Sequence, residues 1–118
     1  MTRSTLAALT ALLLLTPAIV QAHTALRSST PPSGSVLTRA PEMLTLTFLE
    51  PARLTSLVLV TAAGEKKLAF TPKGSATSFT SPKPALVKGR NEIRWTALSR
   101  DGHVVEGSII IVLRAPPR

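Results

Sequence analysis

The segment Leu44-Thr45-Leu46-Thr47-Phe48 alternates apolar residues with threonine, a period of two that lets a strand bury one face and wet the other. Ile93, Trp95 and Ala97 alternate in the same way with Glu92, Arg94 and Thr96. Leu57-Val58-Leu59-Val60 and the run from Ile109 to Leu113 are continuously apolar, which predicts central strands covered on both faces. Turn residues recur between these runs: Pro31-Pro32-Ser33-Gly34, Pro41, Ala63-Gly64-Glu65, Pro72-Lys73-Gly74, Pro82 to Pro84, Lys88-Gly89 and Asp101-Gly102. Nothing after residue 22 keeps a helical period for three turns. The pattern predicts an all-β antiparallel sandwich of about seven strands, near 25–29, 43–49, 56–61, 66–70, 77–80, 91–98 and 106–113.

The start of the chain follows different rules. Arg3 supplies a positive charge, Leu6 to Leu15 is an apolar run holding only Thr10, Pro17 breaks any helix, and Val20-Gln21-Ala22 offers small residues for cleavage. The apolar stretch from Leu6 to Val20 is shorter than the roughly 20 residues that cross a bilayer. Residues 1–22 are therefore expected to be a cleavable signal peptide, cut after Ala22, and 23–118 a single folded domain without internal repeats, ending in a loose tail at Ala115-Pro116-Pro117-Arg118. An exported domain of this size usually relies on disulfides, yet the sequence has no cysteine. Stability must come from packing, and both a blue-copper site and a cysteine zinc site are excluded.

The formal charge is +8, from 14 Lys plus Arg against 6 Asp plus Glu. Such a balance raises the question of nucleic acid or an anionic membrane. After residue 22 the basic residues are scattered from Arg27 to Arg118, and Phe48, Phe70, Phe79 and Trp95 are too few aromatics for a base-stacking platform. No nucleic-acid partner is expected, and the protein is expected to be a monomer.

Chemistry concentrates on the two histidines. Cleavage after Ala22 would make His23 the first residue, offering its free α-amine and imidazole Nδ1 to one metal in a six-membered chelate ring. That geometry suits the tetragonal preference of Cu(II) for nitrogen and oxygen. The second histidine lies in Ser99-Arg100-Asp101-Gly102-His103. Asp-Gly between two strand-like runs is also an ordinary hairpin turn in which glycine takes positive φ. With His23, the Asp101 carboxylate and the His103 imidazole would complete three nitrogens and one oxygen around Cu(II).

These features resemble the periplasmic copper-resistance protein C (CopC) domain family, over essentially all of the chain after residue 22. The resemblance is carried by His23-Thr24-Ala25-Leu26, Ser28-Ser29-Thr30-Pro31, Gly34, Pro41 and Leu44 to Pro51 at one end. At the other it is carried by Leu86, Gly89, Ile93, Trp95, Ser99-Arg100-Asp101-Gly102-His103 and Gly107. It implies an immunoglobulin-like Greek-key sandwich that binds one Cu(II) ion in a bacterial periplasm and acts as a copper carrier or buffer in copper resistance, not as an enzyme. The family ligands fall on His23, Asp101 and His103, with Glu50 as an outer or weak ligand. An inner-membrane copper transporter of the CopD type is the implied partner. Two departures stand out. The segment from Ala62 to Pro84 lacks the methionines that bind Cu(I) in some relatives, so no Cu(I) site is expected. Positions 24 and 49 are Thr and Leu where Ala and Ser would be expected.

Two other functions remain open. An N-terminal histidine brace is also the copper site of certain polysaccharide monooxygenases, although a carboxylate in the fourth position would fill the place oxygen needs. A plain immunoglobulin-like adhesion or assembly module would make His23 and the Asp-Gly turn incidental.

Overall fold

A 19-residue strand, β3 (Met43–Thr61), organises the chain. Drawn straight, it would run about 60 Å, far beyond the width of a domain of roughly a hundred residues. It therefore bends, and the bend is written in its pairing. The computed structural model describes residues 25–115; the expected signal peptide at 1–22, the cleavage point and His23 lie outside them. Around β3 are β1 (Leu26–Thr30), β2 (Ser35–Leu37), β4 (Gly64–Lys67), β5 (Ser75–Pro82), β6 (Gly89–Ser99) and β7 (Val104–Leu113), with no helix among the described residues. The first half of β3 pairs with β1 and β5, the second with β4 and β6. The path β1-β3-β6-β7-β2, with β4 and β5 paired to β3 beside it, thus folds back on itself as a seven-stranded β-sandwich.

Register breaks make the bend possible. One lies between Thr47 and Ala52 against β5, the other between Leu54 and Ser56 against β6. Pro51 sits in the first, where its missing N–H leaves no gap in a ladder. At the second, the extra residue Thr55 donates its hydroxyl to the Thr96 carbonyl at 3.1 Å. One extra residue reverses which side chains face inward. Leu44, Leu46, Phe48, Ala52 and Leu54 are buried at even positions before it, Leu57 and Leu59 at odd positions after it.

Between the layers lies one apolar core containing every aromatic residue of the sequence. Phe48 meets Trp95 edge to face at 5.3 Å and Phe79 at 5.8 Å, and Phe79 meets Phe70 at 6.3 Å. Such pairs add to the burial energy of their rings. Asn91, like Ser81, is buried although polar. Its amide receives the Val87 N–H at 2.8 Å and donates to the carbonyls of Val87, Gly89 and Ile111, fastening the loop before β6 to β7.

The all-β expectation holds, with local corrections. The strands expected at 43–49 and 56–61 are one, because bulges rather than a turn separate them. The strand expected at 66–70 is β4 at 64–67, since Gly64, at φ 121°, already pairs with Thr61. β2 was not expected: it is three residues long, flanked by turn residues, and pairs parallel with β7, so the sandwich is not wholly antiparallel. The apolar run of β3 is fully covered on one face only, with Val58 and Val60 half-buried.

Gly107 stands opposite Trp95 in the β6–β7 ladder, and a Cβ there would lie 2.6 Å from Trp95 Cζ2. Gly107→Ala should therefore push the indole out of its packing and cost about 1–3 kcal/mol, as overpacked cores do. The urea midpoint of unfolding checks this; an unchanged midpoint would mean the ring is not seated against that glycine.

Candidate metal centre

β6 ends at Ser99 and β7 begins at Val104, so the intervening turn is anchored by the most extensive hairpin of the sheet. The Ser99 N–H donates to the His103 carbonyl at 2.8 Å, and the Gly102 N–H donates to the Ser99 carbonyl at 3.0 Å. Gly102 takes φ 89°, the left-handed conformation that the Asp-Gly pair led us to expect. A reversal this tight projects Asp101 and His103 from the same side of the turn. His103 Nδ1 lies 3.2 Å from Asp101 Oδ2, with the two side chains 79% and 67% exposed.

Ser99 completes the cluster. Its hydroxyl donates to Asp101 Oδ1 and accepts the His103 N–H at 3.2 Å. The Ser99 hydroxyl, helped by the His103 backbone N–H and the nearby imidazole, holds the Asp101 carboxyl below its ordinary value against the opposing pull of desolvation. The carboxylate is thereby kept ready as an oxygen donor. Ser99 has no donor role in the expected ligand set, but its position two residues before Asp101 is a recognisable hydroxyl-turn spacing.

The turn opens onto a cleft of about 620 Å³ whose walls include Ala25, Leu49, Glu50, Ala52, Asp101 and His103. The bend of β3 brings Glu50 there, because Ala52 pairs with Ser99 at the foot of the turn. β1 brings Ala25, whose carbonyl accepts the Leu49 N–H at 3.0 Å. Of the expected ligands, Asp101 and His103 are together, Glu50 lines the same cleft, and His23 lies two residues before the first described residue. Among the described residues no group of three or more His, Cys, Asp or Glu side chains gathers at metal-binding spacing, so Glu50 does not close onto the Asp101–His103 pair as a third donor. Leu49 and Val104, both well exposed, give the cleft an apolar rim.

The CopC domain family matches residues 26–112 of this sequence. Among solved structures, CopC from Methylosinus trichosporium OB3b aligns with a TM-score of 0.65 at 20% identity, covering 79% of this chain and 95% of that one. PcoC from Escherichia coli, a methionine-rich copper resistance protein, aligns with a TM-score of 0.54 at 26% identity, covering 75% of this chain and 96% of that one. Its selenomethionine form aligns equally well at 25% identity, with 75% and 98% covered. No curated protein matches the sequence.

In the metal-free protein the Asp101 carboxyl should titrate below the ordinary aspartate value. A lowered pKa in the fold contributes stability that is present above the unfolded value and is lost as the pH falls through the folded one. A carbon-detected NMR titration of the Asp101 side chain reads the midpoint directly. A midpoint at or above that of the unfolded chain would mean that the hydroxyl contact does not persist in solution.

Proposed function

The chain belongs to the CopC domain family, and on that footing we propose that it is a periplasmic Cu(II) protein serving as a copper carrier or buffer in copper resistance. One ion is held by the α-amine and Nδ1 of His23 together with Asp101 and His103, and Glu50 acts as an outer group on the cleft wall. The observation that carries this reading is the convergence of Ala25, Asp101 and His103 on one cleft. Two residues of chain reach no more than about 7 Å, so a chain beginning at His23 starts within that distance of Ala25.

The donor pair fits the ion. Adjacent ligands bound at right angles with bonds of about 2.0–2.1 Å stand roughly 2.8–3.0 Å apart. Asp101 Oδ2 and His103 Nδ1 are separated by 3.2 Å, so a small closure brings them to the spacing of adjacent copper ligands. The donors are nitrogen and carboxylate oxygen, with no thiolate, which favours Cu(II) over Cu(I). High exposure of both side chains suits a cargo that must be taken up and given away, and a carboxylate in the ligand set fills the equatorial position that oxygen chemistry would need. An inner-membrane transporter of the CopD type is the proposed recipient or donor.

Protein cleaved to begin at His23 should bind one Cu(II), with affinity falling steeply as acid protonates the imidazoles and the amine. One glycine added before His23 turns the amine into a peptide nitrogen and should weaken binding strongly, with a changed electron paramagnetic resonance spectrum. His103→Ala should do the same while leaving unfolding within about 0.5 kcal/mol, as for other exposed turn residues. Isothermal titration and the copper spectrum at pH 7 test all three proteins; equal affinity for the cleaved and extended forms would overturn the amine as a ligand.

A further inference from the structure

Asp101 and His103 stand on an exposed turn, where no packing fixes their rotation. What restrains them is chiefly the side chain of Ser99, with the His103 N–H reaching Asp101 Oδ1 at a longer 3.5 Å. Its Oγ lies between the two residues, donating to Asp101 Oδ1 and accepting the His103 backbone N–H at 3.2 Å. With Oδ1 engaged, the other carboxylate oxygen faces His103 Nδ1. The turn itself is closed by different atoms: the backbone N–H and carbonyl of the same serine bond to His103 and Gly102 whatever side chain residue 99 carries. The hydroxyl is therefore separable from the turn, and its bonds go to the two residues of the donor pair.

We infer that Ser99 is a positioning residue for the copper site, its hydroxyl setting the rotation of the Asp101 carboxylate so that Oδ2 and His103 Nδ1 meet as adjacent donors before the ion arrives. This inference rests on the Asp101–His103 copper site proposed above. Its physical basis is preorganisation. An exposed carboxylate with both oxygens free samples several rotamers, and freezing them when metal binds subtracts from affinity. A hydroxyl that holds one oxygen has already frozen them, and it also directs a single oxygen toward the metal. Hydrogen-bond partners of metal ligands commonly govern affinity by one to two orders of magnitude without touching the ion.

The test uses a pair of variants of one shape in protein cleaved to begin at His23. Ser99→Thr keeps the hydroxyl, and Ser99→Val replaces it with a methyl group of the same size. Ser99→Thr should bind Cu(II) as the wild type does, whereas Ser99→Val should bind roughly tenfold to a hundredfold more weakly, with an altered paramagnetic resonance spectrum. The two metal-free variants should melt close together, differing by no more than one exposed hydrogen bond contributes. Equal affinity and spectra for Thr and Val would overturn the inference. So would a metal-free Ser99→Val that melts well below Ser99→Thr, because the hydroxyl would then be holding the turn rather than the ligand. Asp101→Asn serves as the reference: if it binds copper like the wild type, the site itself is wrong and the role of Ser99 falls with it. If Asp101→Asn is weak and Ser99→Val is not, the site stands and only the positioning role fails.

Discussion

The double register break in β3 is the constraint on which the rest of the molecule hangs. It lets one strand serve both layers, so that Phe48 on one half reaches Trp95 across the core. It also gathers the cleft. Leu26 pairs with Phe48 just before the break and Ala52 pairs with Ser99 just after it. The start of β1 and the β6–β7 turn therefore arrive on either side of Leu49-Glu50-Pro51. Ala25, Glu50 and the Asp101–His103 pair come from distant parts of the sequence, and the bend brings them to one cleft.

A domain without a single disulfide must hold that bend by packing. The aromatic chain from Phe70 through Phe79 and Phe48 to Trp95 runs across both layers and ties them together. It also explains a glycine in the middle of β7, where backbone freedom is not at issue: position 107 is the floor on which the indole rests. Asn91 answers the opposite problem, a polar side chain with no exposure at all, by bonding its amide to backbone groups of Val87, Gly89 and Ile111. A packed core beneath and the solvent-exposed Asp101 and His103 above suit the exchangeable copper site proposed for this cleft.

Much of this was legible in the sequence. Period-two alternation located the cores of β3 and β6, since each strand buries one face, and Asp-Gly marked the turn that carries Asp101 and His103. The family resemblance, on the residues at both ends of the chain, matched the family found over 26–112. Three things were not legible. A bulge leaves no composition signal, so Thr55 read as a gap between two strands. β2 is too short for periodicity to register, and it is defined by a partner some 76 residues away, Ser35 opposite Ile111. The hydroxyl of Ser99 was visible as a letter in a motif, but only the placement of its oxygen between Asp101 and the His103 N–H gives it a task.

The bulge at Thr55 has a consequence for how this sequence stores its fold. Beyond it the strand reads Leu57-Val58-Leu59-Val60, apolar at every position, so the run itself does not say which pair belongs inside. A slip by one residue would exchange two leucines for two valines, a far milder error than the burial of polar groups that normally forbids slippage. The information that selects the leucines therefore sits at the two ends of the run: the Thr55 hydroxyl locked onto Thr96, and the tight reversal at Ala62-Ala63 that sets Thr61 against Gly64. Insertions or deletions at either punctuation mark would be transmitted along the whole hairpin, whereas exchanges among the four aliphatic residues between them would leave the alignment untouched.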